Sequence, residues 1–122
     1  LQGVGVLKFE DLDVWKRSAA LCAEIYKELS DLKDFGYRDQ ITRSSLSISS
    51  NVAEGFERQG KKEFINFLNY AKGSTGELRS QVYIGMKIGY VPTDKGKAWI
   101  NETNQISSML YGLMKSIRDK ND

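Results

Sequence analysis

Four segments of this sequence carry apolar or small residues at steps of three and four, and this periodicity limits the folds open to the chain. The segments cover about residues 12–32, 38–58, 62–90 and 94–120. Each pattern is typical of a helix, and none shows the strict alternation of a strand. The predicted core positions, in chain order, are Leu12, Trp15, Ala19, Cys22, Tyr26 and Leu29; Ile41, Ser45, Ile48, Val52 and Gly55; Phe64, Leu68, Ala71, Thr75, Leu78, Val82 and Gly85; Trp99, Thr103, Ile106, Leu110, Leu113 and Ile117.

Short joints separate the four segments. "DLKDFGY" carries two aspartates, "RQGKKE" carries Gly60, and "GYVPTDKG" carries Gly89 as a helix stop and Pro92 as a breaker, with Thr93 as the predicted N-cap. Because short joints place consecutive helices side by side, we predict an all-α, up-down-up-down antiparallel four-helix bundle. A more open all-α arrangement is the alternative.

We expect one domain over residues 1–122, since a chain of this length forms one core and is too short for two. Residues 1–8 are expected to be flexible or foreign to the native chain, and they receive no functional weight.

The stretch "SSLSISSNVAEG", residues 44–55, resembles a linker because serine favours caps and turns over helix interiors. Leu46, Ile48 and Val52 nevertheless keep a helical spacing through it, and no proline interrupts the stretch. We predict a helix interior whose small side chains let a neighbouring backbone come close. Gly55 costs up to about 1 kcal/mol relative to alanine in a helix, so tertiary contacts must enclose this segment.

A polar row follows the second predicted helix. It consists of Arg43, Ser47, Asn51, Glu54 and Arg58. At about 100° per residue, the row occupies an arc of about 80°, and Glu54 with Arg58 forms a favourable i,i+4 pair. Two interpretations stay open: a solvated stripe with local ion pairs, or a hydrogen-bonded row at a helix–helix or subunit contact. In the second, Glu77 of the third helix is a candidate partner for one of the arginines.

Composition argues against most kinds of active site. The chain has no histidine, which removes imidazole bases, His-paired nucleophiles and most zinc and iron sites. No P-loop or dinucleotide motif occurs in a fitting context. We therefore predict no enzymatic activity, no catalytic residue, no cofactor, no metal and no small-molecule substrate.

The sequence also predicts a location. The single cysteine, Cys22, excludes an internal disulfide and fits a reducing cytoplasm. No run approaches the roughly 20 apolar residues that cross a bilayer, so we expect no membrane contact.

The net charge of +2 neither demands nor forbids nucleic acid. Lys61 and Lys62 lead the third helix and Lys95 and Lys97 lead the fourth, and these are candidate contacts for RNA or DNA. Since the two helix starts lie at opposite ends of the bundle, one monomer does not gather both pairs, but an oligomer could repeat either into a ring of positive charge. The alternative is that these lysines only solubilise the helix ends.

Aromatic residues outside the core stripes favour a protein that works through its surfaces. Phe56, Phe67, Tyr70 and Tyr83 are in this group, and aromatic residues are enriched at interfaces. A wide core face is the alternative. The apolar breadth of the second helix exceeds what one core contact needs, so we expect self-association and an assembly or adaptor role.

Two long stretches, "RDQITRSSLSISSNVAEGFER" and "EFINFLNYAKGSTGEL", together with "FEDLDVWKRSAAL", resemble the bacterial 23S rRNA intervening-sequence proteins over nearly the whole chain. The matching positions are Phe9, Leu12, Trp15, Gln40, Arg43, Ser47, Ile48, Asn51, Ala53, Glu54, Gly55, Arg58, Ala71, Gly73, Ser74, Glu77 and Leu78. The accessory variability proteins of diversity-generating retroelements share that fold and are strongly basic. The resemblance implies a four-helix bundle that assembles into ring-shaped homo-oligomers, notably pentamers, and it implies no enzymatic activity.

Overall fold

A computed structural model of the chain describes residues 5–120. Residues 1–4, which belong to the segment expected to be flexible, lie outside the described residues. A short 3-10 helix, Phe9–Asp11, precedes α1 (Asp13–Glu28), α2 (Phe35–Glu57), α3 (Lys61–Lys87) and α4 (Thr93–Asp119). The described residues contain no strand, which confirms the all-α prediction.

Helices α2 and α3 run antiparallel. Arg58, just after α2, lies 3.5 Å from Glu63 in the first turn of α3. At the other end, the hydroxyl of Tyr37 in the first turn of α2 donates to the carbonyl of Gln81 near the end of α3, at 2.6 Å. The joint between these helices is therefore a tight reversal.

Helix α4 closes the bundle against α1, again antiparallel. Arg17 near the start of α1 pairs with Glu102 of α4 at 2.6 Å, and Glu28 at the end of α1 lies 3.9 Å from Lys95 at the start of α4. Helix α4 also packs against α3, whereas α1 and α3 lie diagonally opposite, with no close approach of their backbones. This arrangement confirms the up-down-up-down four-helix bundle.

The first joint differs from the prediction at both ends. Helix α1 stops at Glu28 instead of continuing to residue 32, because Leu29 takes a non-helical conformation as the C-cap. Helix α2 begins at Phe35, three residues before the predicted start at residue 38. The reason is a cap: the side chain of Asp34 accepts a hydrogen bond from the backbone N–H of Tyr37 at 3.1 Å.

At the third joint the predicted glycine stop is present and the predicted cap is wrong. Gly89 has φ of +82°, the left-handed conformation that favours glycine after a helix. Thr93 is the first helical residue, not the N-cap. Pro92 occupies the N-cap position, with no side chain capping the helix.

Every core position predicted in α2 and α3 is buried. The first helix differs from the prediction. Tyr26 is 45% exposed, because the buried face of α1 consists of other residues, among them Val14, Leu21 and Ile25. In α4, Met114 is buried in place of Leu113, which is only partly buried. Ser44, Ser45, Ser49 and Gly55 are thus buried residues of a helix, as predicted.

Buried hydroxyl groups in α2 bond to the backbone of their own helix. Ser45 donates to the carbonyl of Thr42 at 2.8 Å, and Thr42 donates to the carbonyl of Arg38 at 2.7 Å. Ser44 and Ser49 bond in the same way to carbonyls four and three residues earlier. Because a buried hydroxyl without a partner is costly, these local bonds are what allow a serine-rich helix to lie in the core.

Candidate interaction surfaces

The middle of the polar row lies at the contact between α2 and α3. The hydroxyl of Ser47 is 2.8 Å from the hydroxyl of Ser74 on α3. The side-chain amide of Asn51 donates to the carbonyl of Ser47 at 2.8 Å and to its hydroxyl at 3.0 Å. Ser47 and Asn51 are therefore part of a hydrogen-bonded contact between two helices of the same chain.

Gly55 marks a close approach of α2 to α3. A Cβ atom added at this glycine would lie 2.7 Å from the Cβ of Phe67 and 3.3 Å from the carbonyl oxygen of Phe64. The ring of Phe56 meets that of Phe64 edge to face, with 5.9 Å between centroids. A side chain at position 55 would force the two helices apart at this point.

The end of the polar row is a small charged cluster. Arg58 bonds to Glu54 at 2.8 Å, and its guanidinium lies 5.0 Å from the centroid of the Phe67 ring. The hydrogen bond with Glu54 raises the pKa of Arg58. With its second contact to Glu63, Arg58 joins the end of α2 to the start of α3.

The expected pairing of Glu77 with an arginine of the row is wrong. Arg43 is exposed and pairs with Asp39, one turn earlier on its own helix, at 3.0 Å. Arg58 pairs with Glu54 and Glu63. Within the part of the chain that the structure describes, Glu77 has no ion pair, because both arginines find acidic groups nearer to them.

The four candidate lysines lie in three different environments. Lys61 donates to the carbonyl of Lys120 at the end of α4. Lys62 and Lys97 are exposed, whereas Lys95 lies 3.9 Å from both Glu24 and Glu28 of α1. The structure does not bring these four residues into one patch.

An apolar patch opens between α1 and α2. Tyr26 and Phe35 line a groove of about 670 Å³, and Leu46 lies one turn beyond Thr42, another residue of its wall. The exposed fractions are 45% for Tyr26, 64% for Phe35 and 47% for Leu46. Arg38 holds the Phe35 ring in place, with its guanidinium 4.8 Å from the ring centroid. We call Tyr26, Phe35 and Leu46 the α1–α2 patch.

A second apolar patch lies on α3. Ile84 and Ile88 are one turn apart and about half exposed, and Tyr70 lies on the same side of the helix nearer its start. At about 100° per residue, the three directions differ by about 40°. We call Tyr70, Ile84 and Ile88 the α3 patch.

The sequence reasoning found these surfaces only in part. Phe56, expected outside the core, is buried, and Phe67 is half-buried, while Tyr70 and Tyr83 are exposed. Tyr26 was missed because it was assigned to the core. The signal that could have indicated the α1–α2 patch is Leu46, a large apolar residue that lies between the polar row and the buried face of α2 and belongs to neither.

Neither a metal centre nor a membrane span is evident between residues 5 and 120. No group of three or more Cys, Asp or Glu side chains there could hold a metal ion. None of the helices in that range combines the length and the apolar character needed to cross a bilayer.

The sequence profile of the "23S rRNA-intervening sequence protein" family matches residues 10–112. The chain belongs to this family. The matched range includes α1, α2, α3 and most of α4, and it therefore contains the polar row and both apolar patches.

A solved structure gives the same architecture. It is a protein of unknown function from the S23 ribosomal protein family of Bacteroides thetaiotaomicron, 27% identical, with a TM-score of 0.78. The match covers 84% of this chain and 98% of that chain. No curated protein matches the sequence. The function of this family member must therefore be argued from its surfaces.

Proposed function

We propose that this member of the intervening-sequence protein family is a non-enzymatic assembly or adaptor protein that forms a head-to-tail homo-oligomeric ring. In each contact, the α1–α2 patch of one copy packs against the α3 patch of the next. One observation carries the proposal: two separate groups of half-exposed, large apolar side chains lie on different sides of the bundle.

The position of the two patches favours a ring over a two-fold dimer. A two-fold contact uses the same surface on both partners, whereas a ring needs two different surfaces on each subunit. The α3 patch belongs to the helix diagonally opposite α1, so the two patches face different directions. One subunit can therefore hold two neighbours at once.

The chemistry of the patches suits a protein–protein contact. Aromatic residues are enriched at interfaces and charged residues are depleted from interface cores. Tyr26, Leu46 and Ile84 are uncharged and half-exposed, so burying them removes apolar surface from water. Glu77, which is exposed midway between Tyr70 and Ile84 on the same side of α3, is a charge that this contact must pair. The family resemblance adds the expectation of a pentamer, and the surfaces that the ring leaves free would serve an adaptor role.

The test is the solution mass, measured by light scattering coupled to size exclusion, for the natural chain and for two charge insertions. Leu46→Arg disables the α1–α2 patch and Ile84→Arg disables the α3 patch, so we expect each variant alone to be monomeric. When the two variants are mixed, one intact pair of patches remains, and the expected product is a dimer that grows no further.

Lys27→Glu is the matched control, because Lys27 is an exposed α1 residue outside both patches. This variant should still form the oligomeric ring. A natural chain that stays monomeric at high micromolar concentration would contradict the proposal. So would a complex that Leu46→Arg dissociates and Ile84→Arg leaves intact, since this result describes a two-fold contact.

A further inference from the structure

Five basic residues border the contact between α3 and α4. They are Lys72, Arg79, Lys97, Lys115 and Arg118. At about 100° per residue, the directions of the two α3 residues around their helix axis differ by about 20°. The directions of the three α4 residues fall within about 60°. The contact of Met86 on α3 with Gly96 on α4 marks the side on which these two helices meet. We call this surface the α3–α4 face.

Acidic residues approach the α3–α4 face only near the two ends of α4. No Asp or Glu falls within either arc. The nearest acids on α4 are Asp94, three residues before Lys97, and Asp119, four residues after Lys115, and none of the other three cations has an acid one turn away on its own helix. None of the five cations forms an ion pair with another residue between 5 and 120, where the salt bridges involve Arg17, Arg43, Arg58 and Lys95. A chain of net charge +2 thus concentrates positive charge on one side.

Two tyrosines lie among these cations. Tyr83 of α3 is 50% exposed and Tyr111 of α4 is 57% exposed. Because the helices are antiparallel and rise about 1.5 Å per residue, the five cations span about 30 Å along the face, at intervals of about 5–10 Å. The two tyrosines fall within that span, about 18 Å apart.

We infer that the α3–α4 face binds single-stranded nucleic acid, with the cations on successive phosphates and the two tyrosine rings stacked on bases. Unpaired bases offer faces for stacking that a duplex does not, and alternating cations and aromatic rings suit such a strand. An acidic peptide would use the cations and leave the tyrosines without a role. The inference is independent of the proposed ring, since the face shares no residue with either apolar patch.

The first test measures the salt dependence of binding to a labelled oligouridine strand by fluorescence anisotropy. For single strands the slope of log K against log salt is about −0.7 per phosphate contact, so five contacts give about −3.5. The double change Lys72→Gln and Lys97→Gln should reduce that slope by about 1.4. Its control, Lys16→Gln with Lys27→Gln, removes the same charge from α1 and should leave the slope unchanged.

The second test separates stacking from charge. Tyr83→Ala and Tyr111→Ala should each weaken binding by about fivefold to a hundredfold, with the salt slope unchanged. Tyr83→Phe and Tyr111→Phe keep the aromatic ring and should retain the affinity, while circular dichroism checks that each variant is folded. The inference is overturned by the absence of binding at low salt, by equal losses in the α1 control, or by tighter binding to a duplex with no effect of the tyrosine changes.

Discussion

The hydroxyl of Ser47 on α2 lies 2.8 Å from the hydroxyl of Ser74 on α3, and this bond joins the two stretches that most resemble the family. Asn51 completes the contact from the same helix by donating to Ser47. Short side chains on both helices bring the hydroxyls within bonding distance. The polar row is therefore partly internal, and its remaining members, Arg43, Glu54 and Arg58, are exposed to solvent.

The Ser47–Ser74 bond should couple the stabilities of α2 and α3. We expect Ser47→Ala and Ser74→Ala each to lower the free energy of unfolding by about 1 kcal/mol. The free energy of unfolding lost by the double variant should be smaller than the sum of the two single losses by about 0.5–1.5 kcal/mol, because the shared bond can be removed only once. Urea unfolding of the four proteins measures this, and strictly additive losses would show that the hydroxyls do not interact.

Gly55 should tolerate no side chain. Gly55→Ala places a methyl group 2.7 Å from the Cβ of Phe67, and we expect a loss of about 1–3 kcal/mol from overpacking. Gly73→Ala is the matched control, because a Cβ at this α3 glycine meets nothing within 4 Å. The free energy of unfolding of the control should rise by up to about 1 kcal/mol, because alanine has a higher helix propensity than glycine. Equal melting temperatures for the two variants would refute the close contact.

Tyr37 should make the bundle sensitive to alkaline pH. Burial raises the pKa of Tyr37 to about 12, above the value of about 10 expected in the unfolded chain. The folded protein therefore holds this proton more tightly. The stabilisation that the protonated Tyr37 contributes to the free energy of unfolding is complete below about pH 10 and is lost as pH rises toward about 12. Free energies of unfolding measured across that range should fall more steeply for the natural chain than for Tyr37→Phe.

The same variant reports on a hydrogen bond at neutral pH. Tyr37→Phe removes the donor to the carbonyl of Gln81, and we expect a loss of about 1 kcal/mol. A variant as stable as the natural chain at neutral pH and equally sensitive to alkali would contradict both expectations.

Arg17 and Glu102 should hold α1 to α4 through a salt-dependent pair. Two parallel bonds of 2.9 and 2.6 Å join them, and the hydrogen bond with Glu102 raises the pKa of Arg17. Because both side chains are partly exposed, we expect Glu102→Gln to cost no more than about 1 kcal/mol, and less at high salt. Arg43→Gln, which breaks the more exposed pair with Asp39, should change stability by less. Chemical unfolding at low and high salt compares the two.

Periodicity predicted the buried faces of α2 and α3 well, because the apolar and small residues that recur at steps of three and four form one continuous buried face on each helix. Ile41, Ile48 and Val52 admit only one rotation of α2 that buries them together, and all three are buried. Helix α1 has two competing stripes, one through Cys22 and Tyr26 and one through Leu21 and Ile25. The choice between them depends on α4, whose Trp99 indole donates a hydrogen bond to Glu24 of α1 and whose Glu102 accepts one from Arg17 of α1.

The candidate site was less predictable than the fold. The row from Arg43 to Arg58 could be placed on one side of α2 by counting residues, but its partners could not, because Ser74 and Glu63 approach only after α3 folds back. The α3–α4 face was missed for the same reason. Its cations lie on two helices and are separated by up to 46 positions in the chain, from Lys72 to Arg118.

Four helices, their antiparallel succession and the enclosure of a serine-rich helix follow from the order of apolar and polar residues, since these properties depend on local spacing and short connections. The packing of the helices settles three further properties: which side of α1 faces inward, which acids pair with which arginines, and which apolar and basic groups stay exposed. Those outcomes depend on distances between residues far apart in the chain, and such distances are fixed only when all four helices pack together.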